Sequence, residues 1–115
     1  MTTQAMDEKV YRLKLKEVYD CVERAFESMD PDDAEVDVAQ GSCTILARGK
    51  KIILSPQPPV RQIWLAAANL GTAVHFNFDA ASSRWMDDKG KGLELFESVE
   101  QAVFATLGKR VRIAR

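Results

Sequence analysis

The first regular feature of the chain is a stripe of apolar residues that runs from Asp7 to Met29. Its members are spaced alternately four and three residues apart: Tyr11, Leu15, Val18, Val22, Ala25 and Met29. This spacing places them on one face of an amphipathic α-helix. Pro31 cannot continue a helix, because its ring fixes φ and it has no N–H group, so we expect the chain to turn there.

A period-two alternation then predicts a strand in which Ala34, Val36 and Val38 face the core. Glu35 and Asp37, between them, would face solvent. Further short strands are predicted between glycine, proline and serine breaks: Cys43–Arg48, Lys51–Ser55, Arg61–Ala67, Ala73–Asp79 and Arg84–Met86. A succession of short strands with tight breaks is typical of an antiparallel meander.

Helical spacing returns near the end of the chain. The apolar positions of this second helix are Leu93, Phe96, Val99, Val103 and Leu107. Gly108 follows them directly and is a natural helix stop. For the remaining segment, Lys109–Arg115, two structures stay open: a short edge strand or a docked tail.

These elements predict an α+β fold with one domain over residues 1–115. Each helix has a single apolar face, and each strand has a single apolar face. All of these apolar faces are buried together in a two-layer α/β sandwich, in which the N- and C-terminal helices pack on one face of an antiparallel sheet. The other face of the sheet then lies open to solvent. A chain of 115 residues is long enough for one core of this kind.

Composition narrows the possible partners. The net charge of -1 gives no overall attraction to nucleic acid or to an anionic membrane. No apolar run approaches the roughly 20 residues of a membrane span, and the stretch from Met1 to Lys9 is too polar for a signal peptide. Cys21 and Cys43 are far apart in sequence and are typical of free thiols in a reducing compartment. We therefore expect a cytoplasmic protein.

Acidic residues are concentrated in one region. Of the 17 acids in the chain, eight form a cluster that contains a single base, Arg24; we name the cluster the acidic ridge: Asp20, Glu23, Glu27, Asp30, Asp32, Asp33, Glu35 and Asp37. At about 100° per residue, the three helix acids project opposite the apolar stripe. The two strand acids share the outward phase of their strand, so the ridge is predicted to span two elements.

Three interpretations of the ridge remain open. The first is a solvated face that keeps the protein soluble. The second is a site for cations that prefer hard oxygen ligands, such as calcium, manganese or iron. The third is a docking surface for a basic protein. An EF-hand is excluded: counting from Asp30, Glu35 occupies the position of the required glycine, and Gly41 occupies that of the terminal glutamate. A metal would therefore be held weakly on an open surface.

A second candidate surface lies on the predicted open face of the sheet. Ile63 and Leu65 are core residues by their phase, which places Gln62 and Trp64 toward solvent. An outward tryptophan indicates either a partner or a covering loop. His75, the single histidine, also faces outward and has no cysteine nearby in sequence, so it forms neither an ordinary zinc site nor a nucleophile pair. We predict no catalytic residues.

The order of these features resembles the frataxin family, in its bacterial CyaY-type branch. The resemblance rests on the acidic helix and strand, the segment SPQPPVRQIWLA from Ser55 to Ala66, then Val74-His75-Phe76 and Trp85. It extends from about Tyr11 to Val103. It implies the same two-layer sandwich, and a non-enzymatic, iron-binding regulator of iron-sulfur cluster assembly.

The resemblance also implies roles for both surfaces. The acidic ridge would bind Fe²⁺ or Fe³⁺ weakly and would dock a cysteine desulfurase. Gln57, Gln62 and Trp64 would contact the iron-sulfur scaffold protein. Ser55 stands where the family usually has asparagine, which shortens one side chain at this contact. Two alternatives to this function stay open, a ferroxidase or iron-storage protein and a metal-independent interaction module. We expect a monomer, with an iron-dependent oligomer as the alternative.

Overall fold

A computed structural model describes residues 6–68 and 71–115 of the chain. In chain order, the described elements are α1 Glu8–Phe26, β1 Ala34–Ala39, β2 Ser42–Ala47, β3 Lys50–Gln57, a 3₁₀ turn at Pro58–Val60, β4 Gln62–Ala67, β5 Thr72–Asp79, β6 Arg84–Asp87 and α2 Leu95–Leu107. Residues 1–5 of the polar leading stretch lie outside the described part.

The predicted apolar stripe forms the buried face of α1. Tyr11, Val18 and Val22 are buried, and the other three predicted members are half-buried against the core. The helix ends at Phe26, three residues before the predicted end at Met29, because the chain already turns ahead of Pro31. Within the described ranges, neither helix is both long and apolar enough to cross a membrane.

The strands form one antiparallel meander, as predicted. Its spatial order is β1-β2-β3-β4-β5-β6, and each strand pairs with its neighbours in sequence. Every predicted strand end lies within two residues of the observed one. This simple order fixes which side chains oppose each other, since directly opposed residues of an antiparallel pair point to the same face.

Both helices pack on one face of the sheet. Most inward residues of the four central strands are almost fully buried, including Ile45, Leu54, Ile63 and Phe76 at 0% exposure. They share one core with the buried faces of α1 and α2. The predicted two-layer sandwich is therefore confirmed, and the opposite face of the sheet is left open.

Two predicted core positions are wrong. Val38 is 40% exposed, because β1 is an edge strand with only β2 beside it. Leu93 is 37% exposed because it precedes α2 instead of belonging to it. The helix begins after Glu94, whose carboxylate caps it by accepting the N–H of Glu97 at 3.0 Å.

The segment after α2 docks as a tail. Gly108 ends the helix with φ of 70°, a left-handed conformation that glycine adopts without steric cost. Beyond it the chain forms no strand, yet Val111 and Ile113 are buried in the common core. The N–H of Ile113 donates to Glu100 Oε2 at 2.7 Å, which holds the tail against α2.

Candidate functional site

The acidic ridge begins on the side of α1 that faces away from the core. Glu23 and Glu27 are exposed there, and Asp20 is half-buried. Their neighbours on the opposite side, Val18 and Val22, are buried. The outward projection of the helix acids is thus as predicted.

Glu35 continues the ridge from the helix onto β1. A shallow groove of roughly 350 Å³ lies between the end of α1 and the start of β1, and Glu23, Glu27 and Glu35 all line it. No side chain in the described ranges forms a hydrogen bond or an ion pair with these three carboxylates. Three carboxylates without an ion-pair partner in the described ranges therefore share one surface.

Asp37 carries the ridge around the edge of the sheet. It opposes Thr44 across β1 and β2, on the open face. There Glu35 and Asp37 line a second shallow depression together with Lys51. The negative field also extends inward: burial, reinforced by Glu23 and Asp37, raises the pKa of the Cys43 thiol to about 12.

Two of the eight ridge acids are neutralised by cations. Asp20 accepts a hydrogen bond from Lys16 Nζ at 2.7 Å, and this bond raises the pKa of Lys16. Asp33 binds Arg48 at 2.9 Å and Lys109 at 3.0 Å. Those hydrogen bonds, from Arg48 first, hold the pKa of Asp33 below its usual value. Asp33 therefore connects this turn to the turn after β2 and to the tail.

The two other acids of the turn, Asp30 and Asp32, differ in their hydrogen bonding. Asp30 builds the turn: its carboxylate accepts the N–H of Asp32 at 2.9 Å, and its carbonyl accepts the N–H groups of Asp33 and Ala34. The Asp32 side chain is exposed, with no partner in the part of the chain that the structure describes. Within residues 6–68 and 71–115, the ridge acids whose side chains have no hydrogen-bond or ion-pair partner are therefore Glu23, Glu27, Asp32, Glu35 and Asp37.

The ridge does not form a closed metal site. Among the described residues, no three histidine, cysteine, aspartate or glutamate side chains are close enough to hold one ion. The free carboxylates nevertheless offer the hard oxygen ligands that suit hydrated divalent cations. A cation at this surface would keep most of its water and contact one or two carboxylates at a time.

The second candidate surface is the open sheet face, defined by Gln57, Gln62 and Trp64. Trp64 is half-buried and stacks on His75, with ring centroids 4.0 Å apart and ring planes at 11°. Its Nε1–H donates to Gln62 Oε1 at 2.8 Å. Gln57 opposes Gln62 across β3 and β4. The outward phase predicted for Gln62 and Trp64 is correct, and the covering group is a neighbouring side chain instead of a loop.

A polar network holds Gln62 in turn. Its Nε2 donates to Asn77 Oδ1 and to Asp88 Oδ2, both at 3.2 Å. The same Asp88 oxygen lies 3.6 Å from Nδ1 of His75. Sequence reasoning did not include Asp88, because it lies beyond the predicted end of β6. The β5–β6 register, which continues through the Asp88 N–H to the His75 carbonyl, would have indicated it.

Tyr11 fixes the strand ends that carry Gln57 and Gln62. Its hydroxyl donates to the carbonyl of Gln62 at 2.7 Å and accepts the N–H of Gln57 at 3.1 Å. Burial raises the pKa of this hydroxyl, so it stays protonated and able to donate. The sequence identified Tyr11 only as an apolar position, since periodicity does not show where a hydroxyl finds its partner.

Comparison with known proteins gives the family. The family model described as a frataxin-like domain matches residues 4–109, which include every residue of both candidate surfaces. This chain belongs to the frataxin-like family. The fold agrees: the structure of frataxin from Psychromonas ingrahamii covers 96% of this chain and 100% of its own, with a TM-score of 0.82 at 22% sequence identity.

Bacterial relatives of this frataxin-like chain carry a common name. It is 36% identical over 93 residues to the iron-sulfur cluster assembly protein CyaY of Azotobacter vinelandii, a match that spans 78% of this chain and 79% of that one. It is 33% identical over 101 residues to the CyaY protein of Delftia acidovorans, across 88% and 87% of the two chains. The resemblance drawn from the sequence is thus confirmed.

Proposed function

We propose that this protein is an iron-binding accessory protein of iron-sulfur cluster assembly, which regulates the process instead of catalysing a step. It belongs to a family whose bacterial relatives are named for that process. The observation that carries the proposal is the shared groove of Glu23, Glu27 and Glu35, three carboxylates without an ion-pair partner among the described residues. Like charges held together in this way cost folding free energy, and binding of a positive partner offsets that cost.

The acidic ridge meets two positive partners in this proposal. One is Fe²⁺, the cargo, held weakly through hydrated contacts to one or two carboxylates. The other is a basic patch on a cysteine desulfurase, for which the field sets the association rate and the orientation. Because both use the same carboxylates, iron occupancy and docking are thermodynamically linked. The protein acts in the cytoplasm.

The open sheet face contacts the iron-sulfur scaffold protein. Trp64 presents a flat indole that His75 and Gln62 hold in place, so little side-chain freedom is lost when a partner covers it. Aromatic side chains fixed in this way are common binding hot spots. Ser55 opposes Trp64 across β3 and β4 and leaves more room beside the indole than an asparagine would.

Charge removal at the ridge tests the docking proposal. The triple variant Glu23→Gln, Glu27→Gln, Glu35→Gln keeps the shape of each side chain and removes the shared charge. The control variant Glu17→Gln, Asp79→Asn, Glu97→Gln removes three exposed acids elsewhere.

Affinity for the cysteine desulfurase of the same organism is measured by calorimetry at low and at physiological salt. We expect at least a tenfold loss in the ridge variant and less than about twofold in the control. Equal losses in both would contradict a localised docking surface.

A metal-independent docking module is the second candidate function. It is favoured by one observation: no three ligands gather in the described ranges. Desulfurase binding measured with Fe²⁺ and again with a chelator separates the two functions. Identical affinities support the metal-independent module and contradict the linkage between iron occupancy and docking. The same ligand spacing supports no ferroxidase centre, so we expect oxygen uptake on addition of Fe²⁺ to be no faster than in buffer.

A further inference from the structure

A groove with an aromatic floor opens on the helical side of the molecule. It has a volume of roughly 390 Å³ and lies between α1, the β5–β6 hairpin, the start of α2 and the tail. We call it the aromatic groove. Only Asp20 belongs both to this groove and to the acidic ridge, and the open sheet face lies on the other side of the sheet.

The floor of the aromatic groove is apolar. Trp85 and Phe96 are buried, at 5% and 7% exposure, and Phe78 is half-buried. Phe78 meets Trp85 edge to face, with ring centroids 5.4 Å apart. Val18 of α1 completes the apolar surface. Such a floor suits the body of an aromatic or aliphatic ligand.

Most charges at the rim are already compensated. Arg115 binds the buried carboxylate of Glu94 at 2.9 Å and lies over the ring of Phe96. Lys14 lies 3.5 Å from Glu17 and 5.4 Å from the ring centroid of Phe78. Asp20 is bound by Lys16, as described above.

Arg24 is the exception. Its guanidinium donates to the thiol sulfur of Cys21 at 3.3 Å, and it forms no ion pair with any carboxylate of the described residues. A thiol accepts hydrogen bonds weakly, so this cation can exchange the sulfur for a stronger acceptor at little cost. The rim therefore carries one cation without an ion-pair partner in the described ranges, beside an apolar floor.

We propose that the aromatic groove binds a small ligand with one anionic group, such as a carboxylate or sulfonate, on an apolar ring body. The groove falls within the range of about 300–1,000 Å³ that is usual for small-molecule sites. The anionic group pairs with Arg24, whose planar guanidinium matches a carboxylate or sulfonate by two parallel hydrogen bonds. The ring body contacts the apolar floor beside Val18 and Trp85. This site is independent of the proposed function.

A pair of fluorescent probes tests the site on the full chain. The first is 8-anilino-1-naphthalenesulfonate, and the second is N-phenyl-1-naphthylamine, which has the same rings without the sulfonate. We expect saturable 1:1 binding of the first probe, with NMR shifts confined to the groove, including the Cys21 amide and the Trp85 indole. Shifts centred on Trp64, or on no defined site, would overturn the proposal.

Variants at the rim separate charge pairing from loss of structure. Arg24→Gln should weaken binding of the sulfonate probe roughly fivefold, as expected for an exposed ion pair, and leave binding of the neutral probe unchanged. The control is Arg12→Gln on the same helix, whose guanidinium is paired with Glu8 and lies away from the groove; it should change neither affinity. If Arg24→Gln weakens both probes equally, or neither, Arg24 does not select an anionic ligand and the proposal fails.

Discussion

At the scale of single residues, Tyr11 shows how the core supports the surface. The residue belongs to the apolar stripe of α1, yet its hydroxyl bridges the backbone of Gln57 and Gln62, both assigned to the open sheet face. One buried group thus holds the ends of two strands in register.

Replacement of Tyr11 by phenylalanine should leave two backbone groups without their partner. We expect a loss of about 1–2 kcal/mol in the free energy of unfolding, measured by chemical denaturation, together with broadening of the Trp64 indole signal in NMR spectra. Tyr19→Phe is the control, because the Tyr19 hydroxyl binds the carbonyls of Gly41 and Leu54 and contacts neither Gln57 nor Gln62. It should lower stability without changing the indole signal; an unchanged signal in both variants would contradict the role of Tyr11.

The ion pairs of Asp33 predict how the stability of the protein depends on pH. Its pKa is lowered in the folded state by the hydrogen bonds from Arg48 and Lys109, so it binds its proton more weakly when folded than when unfolded. The stabilisation is therefore complete above the ordinary value of 3.8 and is lost as pH falls below it, through the lowered folded-state pKa. Asp33→Asn should be less stable than the wild type at neutral pH, and the difference should shrink as the solution is acidified below that value.

A matched control lies next in sequence. Asp32 is exposed and has no side-chain partner in the described structure. Thermal unfolding of Asp32→Asn should stay close to that of the wild type at neutral pH, where Asp33→Asn is expected to be less stable. A gap between wild type and Asp33→Asn that stays constant down to strongly acidic pH would show that the ion pairs do not carry the effect.

At the scale of elements, the two ends of α1 differ in their charged residues. Its first half carries cations that pair with acids, such as Arg12 with Glu8 and Lys16 with Asp20. Its end carries Glu23 and Glu27, which have no partner within the described ranges. Carboxylates at a helix C-terminus oppose the macrodipole, so the end of α1 is arranged for binding at the expense of stability.

Neutralisation of Glu27, which caps the C-terminal end of α1, should therefore stabilise the protein. We expect Glu27→Gln to raise the free energy of unfolding by a few tenths of a kcal/mol at low salt, and the gain to disappear at high salt. Glu97→Gln removes the same charge from the first turn of α2, where an acid is favourable. It should lower stability, as measured in parallel denaturation curves. Changes of equal sign in the two variants would show that net charge, and not position on the helix, is responsible.

The elements were largely predictable from periodicity. One apolar stripe and one alternating pattern each specify a face, which is why α1, β1 to β6 and α2 were all identified. The errors are at ends: Leu93 has the phase of α2 but precedes its cap at Glu94, and Val38 has the phase of the core but lies at an uncovered sheet edge. The tail was left open because two apolar residues, Val111 and Ile113, suit a strand or a docked segment equally well.

At the scale of the whole molecule, the sequence located the acidic ridge but not its charge balance. Clustering along the chain showed where the acids lie. It did not show that Arg48 and Lys109, at 15 and 76 residues from Asp33, neutralise one of them. Nor did it show which acids share a groove, because Glu23 and Glu35 meet only through the packing of α1 beside β1. Contacts between distant segments are set by the tertiary fold.

The measurement that tests the linked function most directly is an anaerobic ¹⁵N NMR titration with Fe²⁺, followed by addition of purified cysteine desulfurase. We predict that the amide signals of Glu23, Glu27, Glu35 and Asp37 broaden with iron and that the same signals respond to the desulfurase, while Trp64 responds to neither. If the ridge signals change with neither addition, the ridge is only a solvated face and the proposed function is wrong.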